Sequence, residues 1–174
     1  MNNTFGKPII PVNDEERLNA LHAYAILDTL PEGFFTNMAH IIARTFDTPI
    51  ALISLVDRDR VFFKANAGMP GVDTVDRGVS LCSLAVLDDK PTIFHNAPDE
   101  PCLLSNPLVA GEFGLRFYAG APIKTPDGFN IGTVCVVDKT PREFTELDQE
   151  LLVQFAQSAM DAIIRRKETV EQGK

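Results

Sequence analysis

Three groups of residues have types and spacings that could do chemistry. Arg116, Tyr118, Gly120 and Pro122 alternate along one face of a strand, and a following strand offers Asp138, Val136, Val134 and Gly132. A guanidinium grips carboxylate or phosphate bidentately and a phenol donates to a ligand oxygen. Glycines in a sheet centre leave room for a packed helix or a bound molecule. The same residues also read structurally, with Arg116 neutralised by Asp138 and Tyr118 a core tyrosine with a local partner. Arg77, Ser80 and Asn106 form the second group, a possible polar wall over that face, although Asn106 before Pro107 is equally a turn initiator. The third group is the thiols Cys82, Cys102 and Cys135. Their odd number and wide spacing, with no Cys-x-x-Cys pair, fit reduced thiols better than a disulfide framework or a zinc site. Cys82 and Cys135 have apolar neighbours and read as packing residues, which leaves Cys102 as the candidate for redox chemistry. No catalytic residue is assigned. The chain has no Gly-x-Ser-x-Gly elbow and no phosphate-binding Gly-Lys-Ser/Thr loop, and none of its histidines is placed by motif beside a Cys or Ser, so a non-enzymatic role is expected.

The elements that must position these residues can be read from periodicity. Leu115, Phe117, Ala119, Ala121 and Ile123 alternate with the polar or small set above, a period of two. Pro126, Asp127 and Gly128 suit a type I turn closed by a G1 bulge, so residues 115–124 and 130–138 form a hairpin. Pairing Thr125 with Phe129 then places Ile123 opposite Ile131, Ala119 opposite Cys135 and Arg116 opposite Asp138. Residues 48–56, apolar at nearly every position, read as a central strand buried on both faces. Asp57, Arg58 and Asp59 turn it into a second strand over 60–67, and residues 68–76 read as a loop. A short helix is expected over 80–87 and a short strand over 91–95. Residues 96–114 then make a long excursion with one or two helical turns, a length usually associated with function.

Residues 1–12 read as an arm and residues 13–170 as one domain. Asn13 with Glu16 has the spacing of a capping box for a first helix reaching toward residue 28. A second helix begins near Pro31, with Phe34, Phe35, Met38, Ile41 and Ile42 at helical spacing. Thr145 with Asp148 caps a last helix of roughly 25 residues, about 37 Å long, which overhangs the sheet it covers and invites a partner helix. The 174 residues carry 24 acidic and 16 basic side chains, and a net charge of -8 repels nucleic acid and anionic lipid alike. The amino terminus lacks signal-peptide character and no apolar run approaches the roughly 20 residues of a membrane span, so a cytoplasmic protein is expected.

Several stretches together resemble the GAF domains of bacterial sensor kinases and diguanylate cyclases. They are Ile26-Leu27-Asp28-Thr29-Leu30-Pro31-Glu32, residues 49–57, Phe63-Lys64-Ala65, Ser80-Leu81-Cys82, Asn106-Pro107-Leu108-Val109, residues 116–122 and residues 131–138. The resemblance covers residues 14–164. It implies an α+β fold with an antiparallel sheet of five or six strands, the terminal helices on one face and excursion helices over the other. It also implies a small-molecule site between sheet and excursion, a homodimer through the terminal helices, and an effector acting in trans or in a longer chain. Tyr118, Gly120, Gly132, Arg77, Ser80, Asn106 and Arg116 are the residues expected to meet a ligand. The ligand itself is unknown. Covalent bilin is disfavoured, because Ser83 stands where a histidine would follow Cys82 and Glu100-Pro101-Cys102-Leu103 departs from the Asp-x-Cys-Phe signature. Cyclic nucleotide is disfavoured by the missing Asn-Lys-Phe-Asp-Glu signature. The alternatives are a ligand-free dimerisation scaffold and a thiol redox sensor or reductase using Cys102. The reductase is the catalytic form of this fold, and its thiol pattern is not recognisable here.

Overall fold

The computed structural model describes residues 1–173. It is built on an antiparallel sheet of six strands, β1 Ile50–Val56, β2 Arg60–Ala67, β3 Thr74–Asp76, β4 Thr92–Phe94, β5 Phe117–Lys124 and β6 Asn130–Asp138. Their order is β3-β2-β1-β6-β5-β4. The continuous apolar run of β1 is buried at every position and is paired on both edges, as a strand covered on both faces requires. The short edge strand β3 falls where a loop is expected. Its three residues are largely exposed, so no hydrophobic alternation announces it.

Three helices, α1 Asp14–His22, α2 Gly33–Phe46 and α5 Glu146–Gln172, pack on one face of the sheet. In α5 the expected capping box forms: Asp148 N donates to Thr145 Oγ1 at 3.1 Å, and Thr145 N donates to the Asp148 carboxylate at 2.9 Å. The box expected at Asn13 does not form. Asn13 is not in the extended conformation of a side-chain cap, and α1 stops at His22, before residues Ala25 and Asp28 take left-handed backbone conformations. In α2 the buried stripe is Phe35, Met38, Ala39, Ile42 and Phe46, which leaves Phe34 and Ile41 60% and 56% exposed. The apolar arc of this helix is wider than the strip that the sheet and α5 can cover.

The opposite face carries α3 Cys82–Ala85, two 3₁₀ turns at Ala97–Asp99 and Pro101–Leu103, and α4 Pro107–Ala110. The N-terminal arm crosses this layer and buries Phe5 and Ile9 in it.

The hairpin of β5 and β6 forms, but its register differs from the expected one. Lys124 faces Asn130 and Ile123 faces Gly132, so Ile131 is an extra residue and every later pair moves by one. Tyr118 lies opposite Val137, and Ala119 opposite Val136 rather than Cys135. The slip exchanges the faces of β6. Val134 and Val136 join the helix-side core, whereas Cys135 and Val137 face the excursion with Tyr118.

Gly132 sits directly after the bulge, opposite Leu55 of β1. A Cβ at this position would run into the Ser54 carbonyl and the Leu55 Cα. Gly132 is therefore a point of close backbone approach and not a gap for a ligand. Gly132→Ala is expected to cost about 2–4 kcal/mol, seen as a lower urea midpoint with an unchanged slope. A midpoint equal to the parent's would contradict the close approach.

Candidate functional site

The expected site lies between the sheet and the excursion, and there the structure has a small cavity of about 40 Å³. Leu52 and Phe63 line it from β1 and β2, Tyr118 from β5, and Cys135 and Val137 from β6. Ser80, Leu81, Cys82, Leu108 and Phe113 close it from above. Ligand pockets for drug-sized molecules run to about 300–1,000 Å³. In this conformation neither a nucleotide nor a tetrapyrrole fits, and the chain's own side chains occupy most of the space.

Tyr118 accounts for much of that filling. Its side chain folds back along β5 over Gly120, where a Cβ would collide with the phenol. The room left by Gly120 is therefore taken up by the neighbouring tyrosine. The phenol donates to Cys82 Sγ at 3.4 Å and is fully buried. Burial raises its pKa well above the ordinary phenol value, and the adjoining Cys82 and Cys135 raise it further.

The same sulfur gathers other polar groups. Thr133 Oγ1 of β6 donates to Cys82 Sγ at 3.2 Å, and the Cys82 thiol donates to Ser54 Oγ of β1 at 3.4 Å. Cys135 Sγ is 3.9 Å away. The hydrogen bond with Cys135 is the largest influence and pulls the Cys82 thiol below its ordinary pKa. Burial opposes this, and the three hydroxyls assist it. The same contact and burial push Cys135 well up. Apolar neighbours in sequence suggested two inert packing thiols. The structure instead surrounds one of them with hydroxyls from three strands, an arrangement that no local pattern could reveal.

The remaining candidates are placed elsewhere. Arg77 is fully buried but points away from the cavity to Asp14 of α1, with Nη2 at 2.8 Å from Oδ1 and Nη1 at 3.0 Å from Oδ2. Arg17 Nε donates to the same carboxylate at 2.8 Å, and Arg17 Nη1 reaches the Val56 carbonyl at 2.7 Å. The cluster fastens α1 and the segment just after β3 to the sheet. Asn106 caps α4 by accepting from Leu108 N, and donates to Val79 O and Thr4 Oγ1, so its amide is fully engaged. Arg116 does not pair with Asp138. It precedes β5, and its Nη1 donates to the carbonyls of Val109 and Leu115 at 2.9 and 2.8 Å. Arg142 approaches Asp138 instead, at 3.4 Å. Cys102 is half-buried in the second 3₁₀ turn and does not line the cavity. Of the expected ligand-contacting residues, the structure brings Ser80 and Tyr118 to the cavity wall.

Lys64 lies outside the cavity, and no local pattern in the sequence signals its role. It is the extra residue of a bulge in β2, where Ile53 faces Ala65 and Ser54 faces Phe63. Its fully buried ammonium turns to the helix face, donating to Thr29 Oγ1 at 2.8 Å and Leu30 O at 2.7 Å. Glu32 completes the set at 2.9 Å and also binds Arg166 of α5 at 2.9 Å. Burial pushes the Glu32 carboxyl up, but Lys64 and Arg166 hold it below its ordinary value. A charged link thus runs from the sheet to the last helix.

A model of the GAF domain family matches residues 31–163, and the chain belongs to that family. It is 34% identical over 157 residues to a cyclic di-GMP phosphodiesterase of Pseudomonas aeruginosa, covering 90% of this chain and 27% of that relative. The chain therefore spans about a quarter of the relative's length. Among solved structures, the GAF domain of a phosphoenolpyruvate-protein phosphotransferase from Acinetobacter superposes with a TM-score of 0.65 at 17% identity, over 90% of this chain and 98% of the other. A free methionine-R-sulfoxide reductase from Neisseria meningitidis gives 0.61 at 18% identity, over 92% and 91%. These structural likenesses are of fold. Among the described residues, no helix is long and apolar enough to cross a membrane.

The Asp14 cluster yields a pH prediction. Burial raises the Asp14 carboxyl, yet the hydrogen bonds and charges of Arg77 and Arg17 outweigh it and leave the pKa below the usual 3.8. A depressed folded-state pKa means stability that is complete above the unfolded value and is lost as the pH falls through the folded one. Asp14→Asn deprives two buried guanidiniums of the carboxylate they share and should cost about 3–5 kcal/mol at neutral pH. In urea titrations the gap between parent and variant should narrow as the pH drops below about 4. A gap that stays constant into acid would contradict this role for Asp14.

Proposed function

We propose that this GAF domain is a regulatory module that senses at the face under the excursion and reports through α5 in a homodimer. The observation that carries this reading is the position of α5. It spans 27 residues and packs on β5 and β6 from behind, while the cavity lies against the front of the same strands. A change in the cavity that displaces β5 or β6 therefore has a direct packing route to α5. Lys64, Glu32 and Arg166 add a second route from β2.

Exposed apolar side chains support the dimer. Phe34 and Ile41 are seven residues apart on one face of α2, and Val170 is exposed near the end of α5. Between the two helices runs a groove of about 370 Å³ lined by Phe34, Phe35, Ala162, Arg165, Thr169 and Val170. Two copies joined along these helices would cover residues that a monomer leaves in water. Likeness to a segment of a cyclic di-GMP phosphodiesterase supports a setting in which such a dimer controls a signalling enzyme. The small cavity favours a second reading, a dimerisation scaffold whose pocket is closed by Tyr118 and its neighbours.

Sedimentation and thermal-shift measurements test both readings. The protein is expected to sediment as a dimer, and Phe34→Glu with Ile41→Glu should give a folded monomer. A monomeric parent would refute the dimer. In a screen of metabolites, haem and cyclic nucleotides, a compound that raises the melting temperature supports small-molecule sensing, because binding to the folded state stabilises it. No shift with any class favours the scaffold.

A further inference from the structure

Cys82 Sγ is the shared partner of three buried hydroxyls, Ser54 on β1, Tyr118 on β5 and Thr133 on β6, and each has this sulfur as its hydrogen-bond partner. A neutral thiol is a weak acceptor and donates one proton. Here two fully desolvated hydroxyls, Tyr118 and Thr133, donate to the sulfur while the thiol proton is directed at Ser54, which is more polar company than a packing cysteine needs. Once that proton is lost the Ser54 hydroxyl can turn and donate as well, and the set matches a thiolate, which accepts strongly from several donors. The downward pull of these contacts on the Cys82 thiol runs the same way, with Cys135 the largest influence.

The second sulfur makes the cluster more than a polar curiosity. Cys135 Sγ lies 3.9 Å from Cys82 Sγ, in non-bonded contact. A disulfide needs an approach to about 2.05 Å, which side-chain rotation and a small movement of a four-residue helix can supply. Both sulfurs line the cavity of about 40 Å³. One water needs roughly 10–15 Å³ by this measure, so the space admits a few waters or one hydrogen peroxide and excludes a bulky thiol. Met69 and Phe113, both only partly buried, form part of its wall.

We propose that Cys82 and Cys135 form a buried dithiol that hydrogen peroxide oxidises to a disulfide joining α3 to β6. The Cys82 thiolate attacks one peroxide oxygen, a sulfur–oxygen bond forms as the oxygen–oxygen bond breaks, and the departing hydroxide takes up a proton as water. Cys135 sulfur then attacks the Cys82 sulfenic acid, and the sulfur–sulfur bond replaces the sulfur–oxygen bond. The released hydroxide carries the Cys135 proton away as a second water. Two thiols and one peroxide give one disulfide and two waters. The bond ties the roof of the cavity to its floor, so the redox state fixes the shape of that face. This site is separate from Cys102, and the proposal stands whether or not the domain binds a metabolite.

The test is native oxidation of the folded Cys102→Ser protein with hydrogen peroxide, followed by catalase, denaturation with a maleimide, and mass spectrometry. The expected result is an intact mass lower by about 2 Da before reduction, no maleimide uptake, and a linked peptide pair containing Cys82 and Cys135. Cys135→Ser in the same background should instead leave a sulfenic acid at Cys82, captured by dimedone added together with the denaturant after catalase, and Cys135→Ala serves if that variant does not fold. Tyr118→Phe should slow the oxidation several-fold, since it removes one donor to the thiolate. Two free thiols after peroxide treatment, or sulfinic acid at Cys82 with no linked peptide, would overturn the proposal. So would a linked peptide that forms equally fast in urea-unfolded protein.

Discussion

One extra residue in β6 determines what faces the excursion. Ile131 stands between Asn130, opposite Lys124, and Gly132, opposite Ile123, and beyond it each pair of the central hairpin is displaced by one. Because side chains alternate across a strand, that step sends Cys135 and Val137 to the excursion side and Val134 and Val136 to the helices. The bulge is tolerated because Gly132 has no Cβ to strike Ser54 and Leu55 of β1. The Cys82–Cys135 contact, the Thr133 hydroxyl beside it and the β6 part of the cavity wall follow from this register.

The sheet consequently serves two layers with different chemistry. Its back is a continuous apolar contact with α2 and α5, broken by the buried Lys64 and its partner Glu32. Its front holds a small cavity whose wall combines Tyr118, Cys82 and Cys135 with aliphatic side chains. Buried charges are costly unless paired, and both large ionic clusters sit where separate elements must be joined. Asp14 with Arg17 and Arg77 ties α1 and the segment after β3 to the sheet, and Glu32 with Lys64 and Arg166 ties β2 to α5.

The parts that were legible in the sequence are those with strong local periodicity. Alternation over 115–124, the apolar run of β1 and the Thr145–Asp148 box specify a strand, a central strand and a helix start, and all three form. The face of β6 was not legible. Residues 131–137 are nearly all apolar and buried on both sides, so their pattern cannot distinguish one register from the next. The Pro126-Asp127-Gly128 turn suggested pairing by symmetry, and the bulge lies just past it. Arg77 was misplaced for a different reason: its partner Asp14 is 63 residues away, and neither segment signals the other. The wall residues Ser80 and Tyr118 were found because helix and strand signals placed them at the sheet–excursion boundary. The Cys82 cluster was missed because its members come from four separate elements.

The register is the central claim, and backbone nuclear Overhauser contacts across the β5–β6 hairpin test it most directly. Contacts that join Tyr118 to Val137 and Gly120 to Cys135 as facing pairs are the expected result. A set that joins Tyr118 to Val136 and Ala119 to Cys135 would restore the unbulged hairpin, turn Cys135 away from Cys82, and contradict the account.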